Sequence, residues 1–208
     1  MRIALLLLPL SLLACAELRT PVPMASLPPL SLIPNVGDPA RAAVTAAAEA
    51  WSNQRRFEGN PAAAARAAAL LEWLAADVPR SPRWAALPRQ LGFDLANARA
   101  ELRQALSIQA DAPPGEVIGP LTTAANAGTD AAARARALQA APFAQGPDGT
   151  AVLLGRMGSL ALPPTVTANL RQAVQVLDQT GGWDPNPVRL EDTVRAGETT
   201  TGGLGTFY

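Results

Sequence analysis

Three residue pairs, Asp38-Pro39, Asn60-Pro61 and Ser81-Pro82, constrain the fold of this chain more than any other feature. In each pair the first side chain can accept a hydrogen bond from an open amide of the next turn. The proline then sits at the first helical position, where its missing N–H costs nothing and its φ is already set. The start signals recur 21 or 22 residues apart, which invites comparison with helical-hairpin repeats.

The first helix is expected over residues 39 to about 57, with Val44, Ala47, Ala48 and Trp51 on one face and an end near Gly59. The second, residues 61 to about 77, carries Leu70, Leu71, Trp73 and Leu74 and stops ahead of Pro79, which pushes the residue before it out of the helical region. Ser81-Pro82 opens only a short turn, because Pro88 follows closely. Residues 89 to 107 form the cleanest amphipathic stripe, with Leu91, Leu95, Ala98, Leu102 and Leu106 on one side and Asp94, Arg99, Glu101 and Arg103 assigned to other faces.

Two shorter helices are expected at 116 to 127, disturbed by Pro120, and at 130 to 140, capped by Asp130. A turn is read at Gly146-Pro147-Asp148-Gly149, and residues 150 to 160 suit a buried helix, with a strand as the alternative. The last helix takes Thr165 as its cap after Pro163-Pro164, shows Val166, Leu170, Ala173, Val174 and Leu177, and ends at Gly181-Gly182.

The fold class is therefore all-α: a single helical array or bundle of five to seven helices, with a helical-hairpin repeat as an open variant. The tetratricopeptide order of Trp, Leu-Gly, Tyr, Ala, Phe and Pro is not found in register over residues 40 to 85. The organisation is a segment 1–14, a Pro-rich stretch 15–37, the helical domain 38–180 and a Gly/Thr-rich tail 181–208. Residues 15–37 hold Pro21, Pro23, Pro28, Pro29 and Pro34, which block helix, but also Leu27, Leu30, Leu32 and Ile33. Two readings stand, an extended tether reaching on the order of 60 Å and a strap docked on the domain itself.

Composition removes several function classes. The chain has 17 basic residues, all Arg, against 17 acids, and no His. A near-neutral surface gives no general attraction to nucleic acid, so none is expected as a partner. Without imidazole there is no Ser-His-Asp arrangement and no His metal site, and without lysine no phosphate-binding loop. No cofactor and no metal are expected. The one cysteine, Cys15, can form no disulfide within the chain, so packing alone must hold the fold.

Cys15 follows Leu12, Leu13 and Ala14 at the end of an apolar run that opens with Met1 and Arg2. Eleven mostly apolar residues broken by Pro9 fall short of the roughly 20 needed to span a bilayer. The segment resembles a bacterial lipoprotein signal. That resemblance covers the first sixteen or so residues and implies cleavage after Ala14, lipid attachment at Cys15 and a membrane partner reached through that covalent lipid. Ala16 after Cys15, where inner-membrane lipoproteins often carry Asp, implies an envelope location at the outer membrane facing the periplasm. Ordinary secretion, with Ala14 and Ala16 as a small-x-small site, is the alternative.

For chemistry, only paired carboxylates remain, the equipment of a glycan-cleaving enzyme: Glu49 with Glu58, Glu72 with Asp77, or Glu101 with a partner. Each has a plainer reading: Glu49 and Glu101 sit on helices beside arginines as solvated ion pairs, and Asp77 falls in a last helical turn. Trp51, Trp73 and Trp84 are candidates for a groove that takes a lipid or peptide, with burial in the core as the competing assignment. No catalytic residue is assigned. The expected role is a lipid-anchored scaffold, adaptor or assembly factor with a protein partner in the envelope, and the carboxylate enzyme and the helical groove are the alternatives.

Overall fold

The computed structural model describes residues 27–33, 37–159 and 164–181. Within them the chain forms seven α-helices: α1 (Pro39–Ser52), α2 (Pro61–Asp77), α3 (Arg89–Ala105), α4 (Pro114–Asn126), α5 (Ala131–Ala137), α6 (Gly146–Gly155) and α7 (Pro164–Thr180). The lipobox with Cys15, and the tail from residue 182 with Trp183, lie outside the described residues.

The arrangement follows from α2. Twelve of its 17 residues are buried, from Ala64 to Asp77, so it has no polar face to turn toward solvent. Its seven alanines after Pro61 up to Ala69 put little bulk between helix axes, and α1, α3, α4 and α6 all pack against it. α7 covers α1 and α3, and α5 bridges α4 and α6. In a linear stack of hairpins each unit would meet only its sequence neighbours. Here α1 meets α7 across the chain, so the domain is a bundle around a central helix.

The helix starts behave as their chemistry requires. Asp38 Oδ1 accepts from the Arg41 amide at 2.7 Å, Asn60 Oδ1 from Ala63 at 3.0 Å and Asp130 Oδ1 from Ala133 at 2.9 Å. Ser81 opens only the single 3-10 turn Pro82–Trp84 and caps nothing. Several expected boundaries move. The first helix stops at Ser52 and a 3-10 turn, Gln54–Phe57, carries the chain to Gly59. Gly146-Pro147-Asp148-Gly149 is the first turn of α6, not a loop, because Pro147 sits where a helix tolerates proline. Thr165 lies inside α7, which begins at Pro164, so it is not the cap.

α4 runs unbroken through Pro120. Proline there removes one backbone bond, but the residue before it is Gly119, which has no Cβ to meet the proline ring.

After α3 the chain turns through Ser107 at φ 51°, a conformation usually left to glycine. The Ile108 amide bonds to the Arg103 carbonyl at 2.8 Å and the Ser107 amide to Gln104 at 3.1 Å, the paired bonds of a Schellman motif. The turn sends Ile108 into a lone antiparallel bridge with Phe143.

Residues 27–33 are a docked strap. A 3-10 turn, Leu30–Leu32, buries Leu32 to 1% exposure against α4, and Asn126 Nδ2 donates to Ser31 Oγ at 2.9 Å. Of the two readings of the proline-rich stretch, this part takes the strap.

Candidate functional site

The C-terminal half of α2 gathers four of the residues singled out in the sequence, Glu72, Trp73, Asp77 and, from the following turn, Trp84. Glu72 is fully buried, flanked by Leu71 and Trp73 on a helix without a polar face. A carboxylate there needs a charged partner, and Arg103 of α3 supplies it. Arg103 Nε donates to Glu72 Oε1 at 2.6 Å and Nη2 to Oε2 at 2.8 Å. Its Nη1 donates to the carbonyls of Ala110 and Ala112, both at 2.9 Å, and more weakly to Gln109 at 3.3 Å. One guanidinium thus ties α2, α3 and the α3–α4 loop together. Arg103 is not on a solvent face as its place beside the leucine stripe suggested; it is 3% exposed.

Both Glu72 oxygens are occupied and shielded from solvent, which leaves it unable to protonate a leaving group or activate water. Asp77 is also structural, since its Oδ2 accepts the Trp84 indole N–H at 2.8 Å. Glu49, Glu58 and Glu101 are exposed on the surface. Among the described residues no group of three or more His, Cys, Asp or Glu is placed to hold a metal ion.

All three tryptophans are buried, and they do not line one groove. Trp51 packs edge-on against Phe57, with ring centroids 5.3 Å apart, while Trp73 and Trp84 meet at 6.2 Å elsewhere in the core. Beside the second pair a cavity of about 520 Å³ opens between α2, α4 and the strap. Leu27, Pro29, Trp73, Ala76 and Ile118 form its apolar lining, and Arg80, Ser81, Asp77 and Gly115 contribute polar atoms. A second cleft of about 580 Å³ is bordered by Trp51, Asn53, Arg55, Thr167 and Arg171.

The charge around Glu72 is lopsided. Arg99 lies one turn before Arg103 on α3, and burial lowers its pKa from the usual guanidinium value, opposed by Glu72 and reinforced by the positive charges of Arg103 and Arg80.

Comparison with protein-family models, with curated proteins and with solved structures finds no match. No helix among the described residues is long and apolar enough to cross a membrane.

The sequence pointed to Glu72 with Asp77 as a carboxylate pair and to Trp73 and Trp84 as groove residues, but not to Arg103, Ser81, Arg80, Gly115 or the strap wall as parts of a site. One signal was available. A carboxylate in a helix with so little polar surface demands a buried cation, although nothing in the sequence singles out Arg103 as that cation.

Proposed function

We propose that the chain is a lipid-anchored envelope protein, held through an acyl-modified Cys15 at the outer membrane facing the periplasm, where it acts without catalysis as a scaffold, adaptor or assembly factor for a protein partner. The observation that carries this reading is the docked strap, residues 27–33, which follows the lipobox closely in the sequence. Cys15 lies only twelve positions ahead of Leu27. A fully stretched connection of that length reaches on the order of 40 Å, so the strap and α4 would stay close to the lipid surface. The use of Glu72 and Asp77 in core contacts supports a non-catalytic role, because the site's buried polar chemistry is spent on holding helices together.

Metabolic labelling with an alkyne fatty acid, followed by fractionation, tests the anchor. The wild type should label and sediment with outer membranes, and Cys15→Ala should do neither while still being exported. An unlabelled wild type sinks the anchor. A photo-crosslinker at Leu30, which is exposed on the strap, should give a discrete adduct in intact cells that is lost in Cys15→Ala. The same adduct in the unanchored variant would break the link between anchoring and partner.

A further inference from the structure

The cavity beside Trp73 is chemically divided. At the level where α2 ends and α4 begins, its lining carries Arg80, Ser81 and Gly115; one turn further along the two helices it carries Trp73 and Ile118, with Leu27 and Pro29 of the strap as the outer wall. Three features of the polar end favour a negative group. Arg80 spends one donor, Nη1, on the Ala76 carbonyl at 2.7 Å and keeps its remaining N–H groups. Gly115 is the first residue of α4 with an N–H, since Pro113 and Pro114 have none, and no side chain caps this helix start. Ser81 is 6% exposed, borders the cavity, and its Oγ has no hydrogen-bond partner among the described residues. A buried hydroxyl without a partner asks for one from outside the chain, which water or a ligand oxygen can supply.

Asp77 is the opposing charge at this end. It too borders the cavity, 4% exposed and accepting the Trp84 indole N–H, and it offsets part of the charge of the exposed Arg80, so an anion is favoured only where it sits on the Arg80 and Gly115 side. Glu116, next along α4, is exposed and does not border the cavity.

We propose that this cavity binds a long-chain fatty carboxylate, the chain lying against Trp73, Ile118 and Leu27 and the carboxylate taken by the Arg80 guanidinium, the Gly115 amide and the Ser81 hydroxyl. The combination of an apolar wall with a guanidinium and a free helix amide at one end suits a single-chain anionic amphiphile better than a peptide, whose backbone would need donors and acceptors along its length. The inference is independent of lipid attachment at Cys15.

The test uses the full-length Cys15→Ala chain, free of any covalent acyl group, and calorimetric titration with laurate below its micellar concentration. Saturable one-to-one binding is expected, about tenfold weaker in Arg80→Gln and weaker again when Ser81→Ala is added, as expected for loss of hydrogen bonds to a charged group. Dodecyltrimethylammonium, with the same chain and the opposite charge, should not compete. Gly115→Leu puts bulk where a Cβ meets nothing within 4 Å, so it should abolish binding while leaving the helical circular dichroism unchanged. Gly92→Leu on α3, equally unobstructed, should bind as the parent does. No saturable laurate binding, equal binding of the cationic amphiphile, or undiminished binding in folded Gly115→Leu would each overturn the proposal.

Discussion

Two carboxylate–guanidinium pairs in this molecule have the same bonding and opposite surroundings. Arg103 and Glu72 meet through two N–H···O bonds at 2.6 and 2.8 Å with side chains 4% and 0% exposed. Arg41 and Asp178 meet through two at 2.8 and 2.9 Å with side chains 52% and 38% exposed. The first joins α2 to α3 inside the core, and the second joins α1 to α7 in water. Distance alone would rank them equal. Desolvation separates them, because a partner lost in the core leaves a charge that water cannot reach, whereas at the surface water replaces the missing bond.

The largest effect should therefore come from Arg103→Ala, which strands Glu72 and removes donors from the carbonyls of Gln109, Ala110 and Ala112. A loss of about 3–5 kcal/mol in urea unfolding is expected. The double variant Glu72→Met/Arg103→Met should recover part of that loss, since it leaves no buried charge unpaired, while the loop carbonyls of Gln109, Ala110 and Ala112 still lack their donor. If the single variant costs no more than a surface change, the contrast fails. Next in size is Trp84→Phe, which keeps the ring against Trp73 but withdraws the N–H given to buried Asp77; about 1–3 kcal/mol is expected from the same measurement.

A smaller change of opposite sign is expected at Ser107. Glycine accepts φ 51° without Cβ strain, so Ser107→Gly should stabilise by about 0.5–1 kcal/mol and sharpen the turn that brings the loop carbonyls to Arg103. The smallest effect belongs to Arg41→Ala, whose midpoint should match the parent's at 0.5 M salt and differ, if at all, only at low salt. The hydrogen bond to Asp178, then its charge, hold Arg41 above the ordinary guanidinium value. A raised folded value means that the guanidinium's share is whole below the ordinary guanidinium value and is lost only as pH climbs through the folded value, so the Arg41→Ala difference should stay flat from pH 6 to 9. A salt-insensitive loss at Arg41 would erase the distinction between the two pairs.

Much of the helical plan was legible because its signals are local. Asp38, Asn60 and Asp130 cap their own helices, and the Leu91 to Leu106 stripe needs only a 3.6-residue period. What escaped depends on residues far apart in the chain. The Glu72–Arg103 pair spans 31 positions, and nothing near Arg103 marks it apart from the exposed arginines. Ser107 carries no glycine to announce its turn, and Pro147 fits a turn and a first helical turn equally well. The cavity is assembled from the strap, α2 and α4, so no single stretch carries its pattern.

The crowding around α2 leaves that helix without slack. Ala64, Ala65, Ala67, Ala68 and Ala69 are all fully buried, with neighbouring helices on several sides. A methyl added there must displace a neighbour, so the row gauges how closely the surrounding helices approach. Drift toward heavier side chains along this one segment would loosen the whole bundle at once, while the outer helices could change their solvent faces freely.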